Sequence, residues 1–313
     1  MKTSNKKPLI FLFGPTASGK TDLAIKLSKK FPIELISVDS VMVYKDCNIG
    51  SAKPSGYILK KYPHKMVDVI TPNEIFTVAD FCEISIKIIE NAHKKKKLPL
   101  FVGGSMMYFK SLMNGIHNLP NRDEDYRKEL EALKSNNKKN FLYELLIKKD
   151  PMYAKKINKN DELRIIRALE VHKIKGVPMS KIIAEEKTNG VCKNYDLYQL
   201  GIVPEREFLH KRIKSRLDKI IDKGLIKETE GLLKKYNINI HHPIRSSVNY
   251  KQAFNFIDNQ YDIDTFYEKA LFATRQLAKR QITWLRSWEN FENVKINKLE
   301  KLENDIKKLS SLL

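Results

Sequence analysis

Gly14-Pro-Thr-Ala-Ser-Gly-Lys-Thr21 satisfies the pattern G-x-x-x-x-G-K-[ST]. Glycines at both ends let the backbone curl so that successive N–H groups point inward. A following helix adds positive potential from its amino end, and the lysine adds a mobile full charge. Gly14, Pro15, Thr16, Ala17, Ser18, Gly19, Lys20 and Thr21 therefore form a candidate phosphate cradle, with the Thr21 hydroxyl available to Mg²⁺. The loop does not say whose phosphate it holds. A second chemical group is Asp39, followed by Ser40. A carboxylate there has three possible jobs: holding Mg²⁺ through water, taking a proton from a nucleophile, or capping a helix that starts at Val41-Met-Val-Tyr44.

Both groups need a scaffold that brings them to one edge. Leu9–Phe13 is a short continuous apolar run ending in glycine, the pattern of a parallel strand covered on both faces. It is too short for a signal segment and leads directly into the glycine loop. A helix is expected from about Thr21 to Lys30. Further strands are expected at Glu34–Val38, Lys65–Ile70 and Pro99–Val102, with helical stretches such as Val78–His93 between them. That alternation predicts right-handed crossovers and a parallel sheet, in which ligands gather at the carboxyl ends of the strands. From about Asn121 the pattern changes to charged amphipathic helices, carried by Leu130, Leu133, Leu145, Leu146, Leu163, Ile166 and Leu169. Tyr195–Gly201 returns to strand-like alternation. Long helices then fill 205–223, 224–236, 244–257 and 263–288. The domains expected are residues 1–120 as the first part of the core, 121–190 as a helical insertion, and 191–313 as the rest of the core with its terminal helices.

Composition narrows the partners. Lys and Arg number 58 against 37 Asp and Glu, a formal charge of +21, which attracts polyanions such as nucleic acid. The same surplus also arises from a solvated, lysine-rich surface, so it supports a case without opening one. Cys47, Cys82 and Cys192 have neither zinc spacing nor a disulfide framework, which suits a reducing cytoplasm. No stretch approaches the ~20 apolar residues needed to cross a bilayer. His241 and His242 beside Pro243 read as loop residues, and Trp284 and Trp288 share a helix face that is expected to pack inside.

Several blocks, taken in order, resemble the tRNA dimethylallyltransferase (IPP transferase) family. They are Gly14–Thr21, Glu34-Leu-Ile-Ser-Val-Asp-Ser40, Ile49-Gly-Ser-Ala-Lys-Pro54, Gly103-Gly-Ser105, Arg164–Glu170, Arg206–Arg216 and Ala273–Arg286. The resemblance runs from about Leu9 to Trp288. It implies an α/β fold with a P-loop NTPase-like parallel sheet core, a helical insertion domain that contacts tRNA, and a helical carboxyl-terminal region. It also implies transfer of a dimethylallyl group from dimethylallyl diphosphate, held on the loop with Mg²⁺, to the exocyclic amine of an adenosine beside the tRNA anticodon. Asp39 would be the base. Lys20, Thr16, Ser105 and Arg216 (or Arg212) would act on the diphosphate, and Thr21 and Asp39 would serve the metal.

By the same resemblance the tRNA anticodon loop would meet Asp39, Ser40, Val41, Met42, Ser105 and Arg127. It would also meet Leu163, Arg164, Ile165, Ile166 and Arg167, and Ser246, Ser247, Val248, Asn249, Tyr250 and Lys251. Read without it, Arg164, Arg167 and Arg275 are ion-paired or solvated helix faces. Met42, Tyr44, Met106, Met107 and Tyr108 are either an apolar slot or simply core. Two departures stand out: Gly103-Gly-Ser-Met-Met-Tyr108 where the family has Gly-Gly-Thr-Gly-Leu-Tyr, and Val248-Asn-Tyr-Lys251 where it has Val-Gly-Tyr-Arg. Asn tolerates left-handed backbone angles, and lysine keeps the charge without arginine's planar fork. The tail beyond Trp288 has no Cys or His pair, so no zinc is expected, and a monomer is expected. Other readings of the loop are a small-molecule or nucleotide kinase, and an RNA-binding ATPase.

Overall fold

The computed structural model describes residues 6–186, 188–260, 262–296 and 298–313. Six parallel strands form one sheet: β1 (Pro8–Phe13), β2 (Ile33–Val38), β3 (His64–Lys65), β4 (Leu98–Gly103), β5 (Asp196–Gly201) and β6 (Glu292–Asn293). Their order is β3-β2-β4-β1-β5-β6, which places β1 centrally between β4 and β5. Every residue of β1 is buried, as its unbroken apolar run requires.

The period-two alternation of a strand sends its side chains to two separate cores. Leu9, Phe11 and Phe13 enter one with Phe101, Phe109 and Trp288, while Ile10 and Leu12 enter the other with Leu23, Leu27 and Ile306. The first core is roofed by the helices Val78–Lys94, Met106–Asn114, Leu225–Lys235, Tyr250–Ile257 and Ile263–Arg286; the second is covered by Lys20–Ser28 and Glu300–Ser310.

Two expectations of secondary structure are corrected. The third strand does not continue from Lys65 to Ile70. It pairs only through His64 and Lys65, because Met66 and Asp68 take positive φ values of 65° and 54° that no strand can hold. The helix expected over 244–257 is two helices, Pro243–Ser246 and Tyr250–Ile257, parted at Asn249 with φ 74°.

The chain divides into two compact units, Met1–Asn114 with Gly190–Leu313, and Gly115–Asn189. The second unit is helical, with the helices Glu124–Ser135, Phe141–Lys149, Pro151–Ala154, Glu162–Lys175 and Met179–Glu185 around Leu130, Leu146, Ile165, Ala168 and Leu169. At its centre Glu170 is fully buried. Its carboxylate accepts from Arg127 at 2.8 and 3.1 Å, from the Asp123 N–H at 2.8 Å, and from Arg167. Burial raises the Glu170 pKa, but these donors outweigh it and hold the carboxyl below its ordinary value. No helix among the described residues is long and apolar enough to cross a membrane.

Candidate active site

The carboxyl ends of β1, β2 and β4 open on one cavity of about 680 Å³. Thr16, Lys20, Thr21, Asp39, Ser105 and Arg216 all line it, so the residues singled out for diphosphate chemistry meet in one place although their elements are far apart in sequence. Two glycines permit the convergence. A Cβ on Gly103 would sit 2.0 Å from the Val38 carbonyl oxygen, and one on Gly14 would sit 2.7 Å from that of Ile202. The strand ends therefore approach as closely as backbone alone allows.

The loop leaves β1 and turns at Gly19, whose φ of 94° suits glycine, into the helix Lys20–Ser28. The Lys20 side chain folds back inside it, donating to the Pro15 carbonyl at 2.6 Å and to Ser18 Oγ at 3.4 Å. Burial, then the nearby Arg216 charge, pull its pKa down to about 7, with Asp39 partly opposing. The N–H groups of Gly19, Lys20 and Thr21 carry no hydrogen bond among the described residues, and so remain open to an anion. Arg216 donates to the Ala52 carbonyl at 3.4 Å. Burial lowers its pKa first; Asp39 raises it and Arg212 lowers it further. A smaller cavity of about 300 Å³ on the helix side of the loop shares Lys20, Thr21 and Arg216 and adds Arg212.

Asp39 follows the last residue of β2. Its Oδ1 accepts the N–H groups of Val41 at 2.8 Å and Met42 at 3.1 Å, so the capping role is present, on a turn rather than a helix. Its Oδ2 accepts no hydrogen bond among the described residues. One carboxylate thus divides its oxygens between holding the turn and facing the cavity.

The remaining candidates fall into three groups. Ser40 is exposed, and it, Val41, Met42, Ser246, Ser247, Val248 and Asn249 line the cavity. Tyr250 and Lys251 do not line it: Tyr250 is fully buried and donates to Glu228 at 2.6 Å, and Lys251 points to solvent. In the helical unit, Leu163 and Arg164 are exposed, Ile165 is buried and Ile166 half-buried, while Arg127 and Arg167 are committed to Glu170. Arg164 pairs with Asp161 at 3.3 Å. Of the apolar candidates, Met42, Met106, Met107 and Tyr108 line the cavity, whereas Tyr44 is core, its hydroxyl accepting the Phe76 N–H at 3.0 Å.

Sequence reasoning missed several members. Glu228 accepts the consecutive N–H groups of Asn48, Ile49 and Gly50 at 2.7–3.0 Å and so fixes the segment whose Ala52 carbonyl receives Arg216. His64 lines the cavity; its Nδ1 bonds the Tyr62 carbonyl at 2.7 Å, and its buried Nε2 has no partner among the described residues. Thr274, Leu277, Gln281 and Trp284 form one stripe of the helix Ile263–Arg286 along the wall, and their three- and four-residue spacing was the available signal.

A family model described as IPP transferase matches residues 42–288. The chain belongs to the IPP transferase family. A tRNA dimethylallyltransferase of Acinetobacter baumannii is 43% identical over 297 residues, covering 93% of this chain and 94% of that one. One from Legionella pneumophila is 43% identical over 283 residues, covering 90% of each. Among solved structures, the full-length tRNA isopentenylpyrophosphate transferase of Bacillus halodurans aligns with a TM-score of 0.69 at 32% identity, covering 98% of this chain and 97% of that one. A eukaryotic dimethylallyltransferase, solved acting on tRNA, aligns with a TM-score of 0.72 at 27% identity over 89% of this chain and 70% of its own. In this IPP transferase the cavity is lined by cations at the loop, by the Asp39 carboxylate, and by methionine and aromatic side chains.

Proposed function

We propose that this chain transfers the dimethylallyl group of dimethylallyl diphosphate to the exocyclic amine of the adenosine beside the tRNA anticodon, releasing diphosphate. The observation that carries the reading is the free Oδ2 of Asp39 in the same cavity as Lys20 and Arg216. An adenine amine is a weak nucleophile because its lone pair is delocalised into the ring, so it needs positioning and proton removal. As the N–C bond forms and the allylic C–O bond breaks, the amine proton passes to Asp39 and the electron pair leaves with diphosphate. Lys20, Arg216 and the open loop amides face that growing negative charge, with the Thr16 and Ser105 hydroxyls orienting phosphate oxygens.

The residues present suit Mg²⁺. Among the described residues no cluster of three or more His, Cys, Asp or Glu could hold a metal alone, but Mg²⁺ characteristically takes one or two protein oxygens, water and substrate phosphate. Thr21 and Asp39 supply such oxygens at the loop. When bound, Mg²⁺ neutralises charge on the diphosphate.

The target base must leave its stack, which costs a few kcal/mol and is offset by contacts to the splayed anticodon loop. Ser40–Met42 and Ser246–Asn249 supply the cavity rim for it, and the +21 formal charge supplies long-range attraction. The three cysteines are unpaired, in keeping with work in the cytoplasm, and the chain acts as a monomer on this reading.

Purified protein, Mg²⁺, radiolabelled dimethylallyl diphosphate and unmodified tRNA form the test. Label recovered in a prenylated adenosine after digestion supports the assignment. ATP turnover with no labelled nucleoside overturns it in favour of a kinase or an RNA-dependent ATPase.

A further inference from the structure

Gln281 lies 8% exposed on the cavity wall, and both ends of its amide are used. Its Oε1 accepts the backbone N–H of Thr16 at 2.8 Å, and its Nε2 donates to the Gly104 carbonyl at 2.9 Å. One side chain thus ties the phosphate loop to the turn that presents Ser105. The turn is shaped for it, since a Cβ on Gly104 would sit 2.3 Å from Gln281 Nε2. No other side chain among the described residues bonds either group.

We infer that Gln281 is a positioning residue for the donor: it sets the gap between Thr16 and Ser105, and so the width of the diphosphate seat. The inference rests on the reading that this cavity holds an allylic diphosphate. Among the described residues the Thr16 amide is the one loop N–H bonded by a side chain; with it engaged, the loop cannot rotate that amide toward a ligand, and its anion-binding face is left to Gly19, Lys20 and Thr21. The Gly104 bond fixes the opposite wall. Only a group that donates at one end and accepts at the other, on a stem of this length, spans both, which is the chemistry of glutamine.

Two variants separate positioning from packing. Gln281→Met keeps the volume and removes both bonds, stranding the Thr16 N–H. Donor KM is expected to rise about tenfold, the size associated with one unsatisfied buried donor, with tRNA KM unchanged. Gln281→Glu is more specific. The neutral carboxylic acid reproduces both bonds, one oxygen accepting from Thr16 and the O–H donating to Gly104; the carboxylate can only accept, and it faces the Gly104 carbonyl. Its donor kcat/KM, divided by that of the unaltered protein at each pH, should therefore be near one at low pH and fall as pH rises. Taking the ratio removes the titration common to both proteins, that of Lys20, Asp39, His64, Tyr108, Arg216 and Arg280 in the cavity, and leaves the effect of the new carboxyl.

Thermal melting of both variants shows whether they are folded. A flat ratio, or a change confined to tRNA KM, overturns the inference and leaves the functional reading standing. Absence of transfer by the unaltered protein overturns that reading and this inference with it.

Discussion

Replacing Asp39 by Asn separates the bonds that hold its turn from the charge it offers the cavity. Asn Oδ1 can still accept from Val41 and Met42, as Asp Oδ1 does at 2.8 and 3.1 Å, so the turn survives while charge and basicity are lost. A positioned general base contributes about 10²–10⁴-fold. At about 1.36 kcal/mol per tenfold that is about 2.7–5.5 kcal/mol of barrier. Asp39 also supports the charged forms of Lys20 and Arg216, so its loss weakens donor binding as well. The diagnostic quantity is therefore kcat at saturating donor and RNA, from single-turnover transfer of labelled dimethylallyl, with the melting temperature unchanged. Asp39→Ala adds loss of the turn bonds, worth about 1 kcal/mol of stability. It should show the same kcat and a lower melting temperature. An Asp39→Asn protein that keeps kcat within about tenfold of the unaltered value would refute the base.

Lys20, with its pKa lowered to about 7, is partly neutral in the empty site near neutrality. Diphosphate favours its charged form, so donor binding takes up a proton above that pH and donor KM rises with pH; calorimetry of inorganic diphosphate in buffers of different ionisation enthalpy reads the uptake directly. Glu170, held below its ordinary pKa by Arg127 and Arg167, contributes stability that is fully present above about 4.5 and is lost as pH falls through its lower folded value. Glu170→Gln should cost about 3 kcal/mol or less and flatten that acid limb, measured by urea unfolding across pH, because it leaves two partly buried guanidinium charges without their counter-ion. Gly103→Ala would place a methyl 2.0 Å from the Val38 oxygen and push β2 off β4, so melting temperature and transfer should both fall; an unchanged melting temperature would show that the strand ends have slack.

The sequence was most legible where local pattern and tertiary role coincide. β1 is an unbroken apolar run and β4 is nearly one, while β2 is apolar except at Glu34 and Ser37, a pattern that suits central parallel strands. The loop was legible because its backbone geometry requires particular residues. β3 was not, since its end is set by left-handed angles at Met66 and Asp68: methionine gives no sign of them, and aspartate only tolerates them. At Asn249 the residue type did signal a positive φ, but not what holds it: its Nδ2 donates to the Gly50 carbonyl at 2.8 Å, a partner 199 residues away. Gln281 and Glu228 share this character. Each is an ordinary polar residue on an amphipathic helix until the backbone groups it serves are in place.

Those two residues also explain how a loop built for phosphate meets a carboxylate without collapsing onto it. Asp39 attracts both Lys20 and Arg216, which repel each other, in a cavity where an ion pair is stronger than in water. Left to themselves they would close into a salt bridge and occupy the seat. Instead Lys20 is tied to the Pro15 carbonyl and Arg216 to that of Ala52, whose segment Glu228 fastens, while Asp39 is tied to its own turn. Each charge is thus satisfied on one side by backbone and left open on the other. On the proposed reading, an arriving diphosphate would find both cations already held apart from the carboxylate, with their open sides toward the cavity.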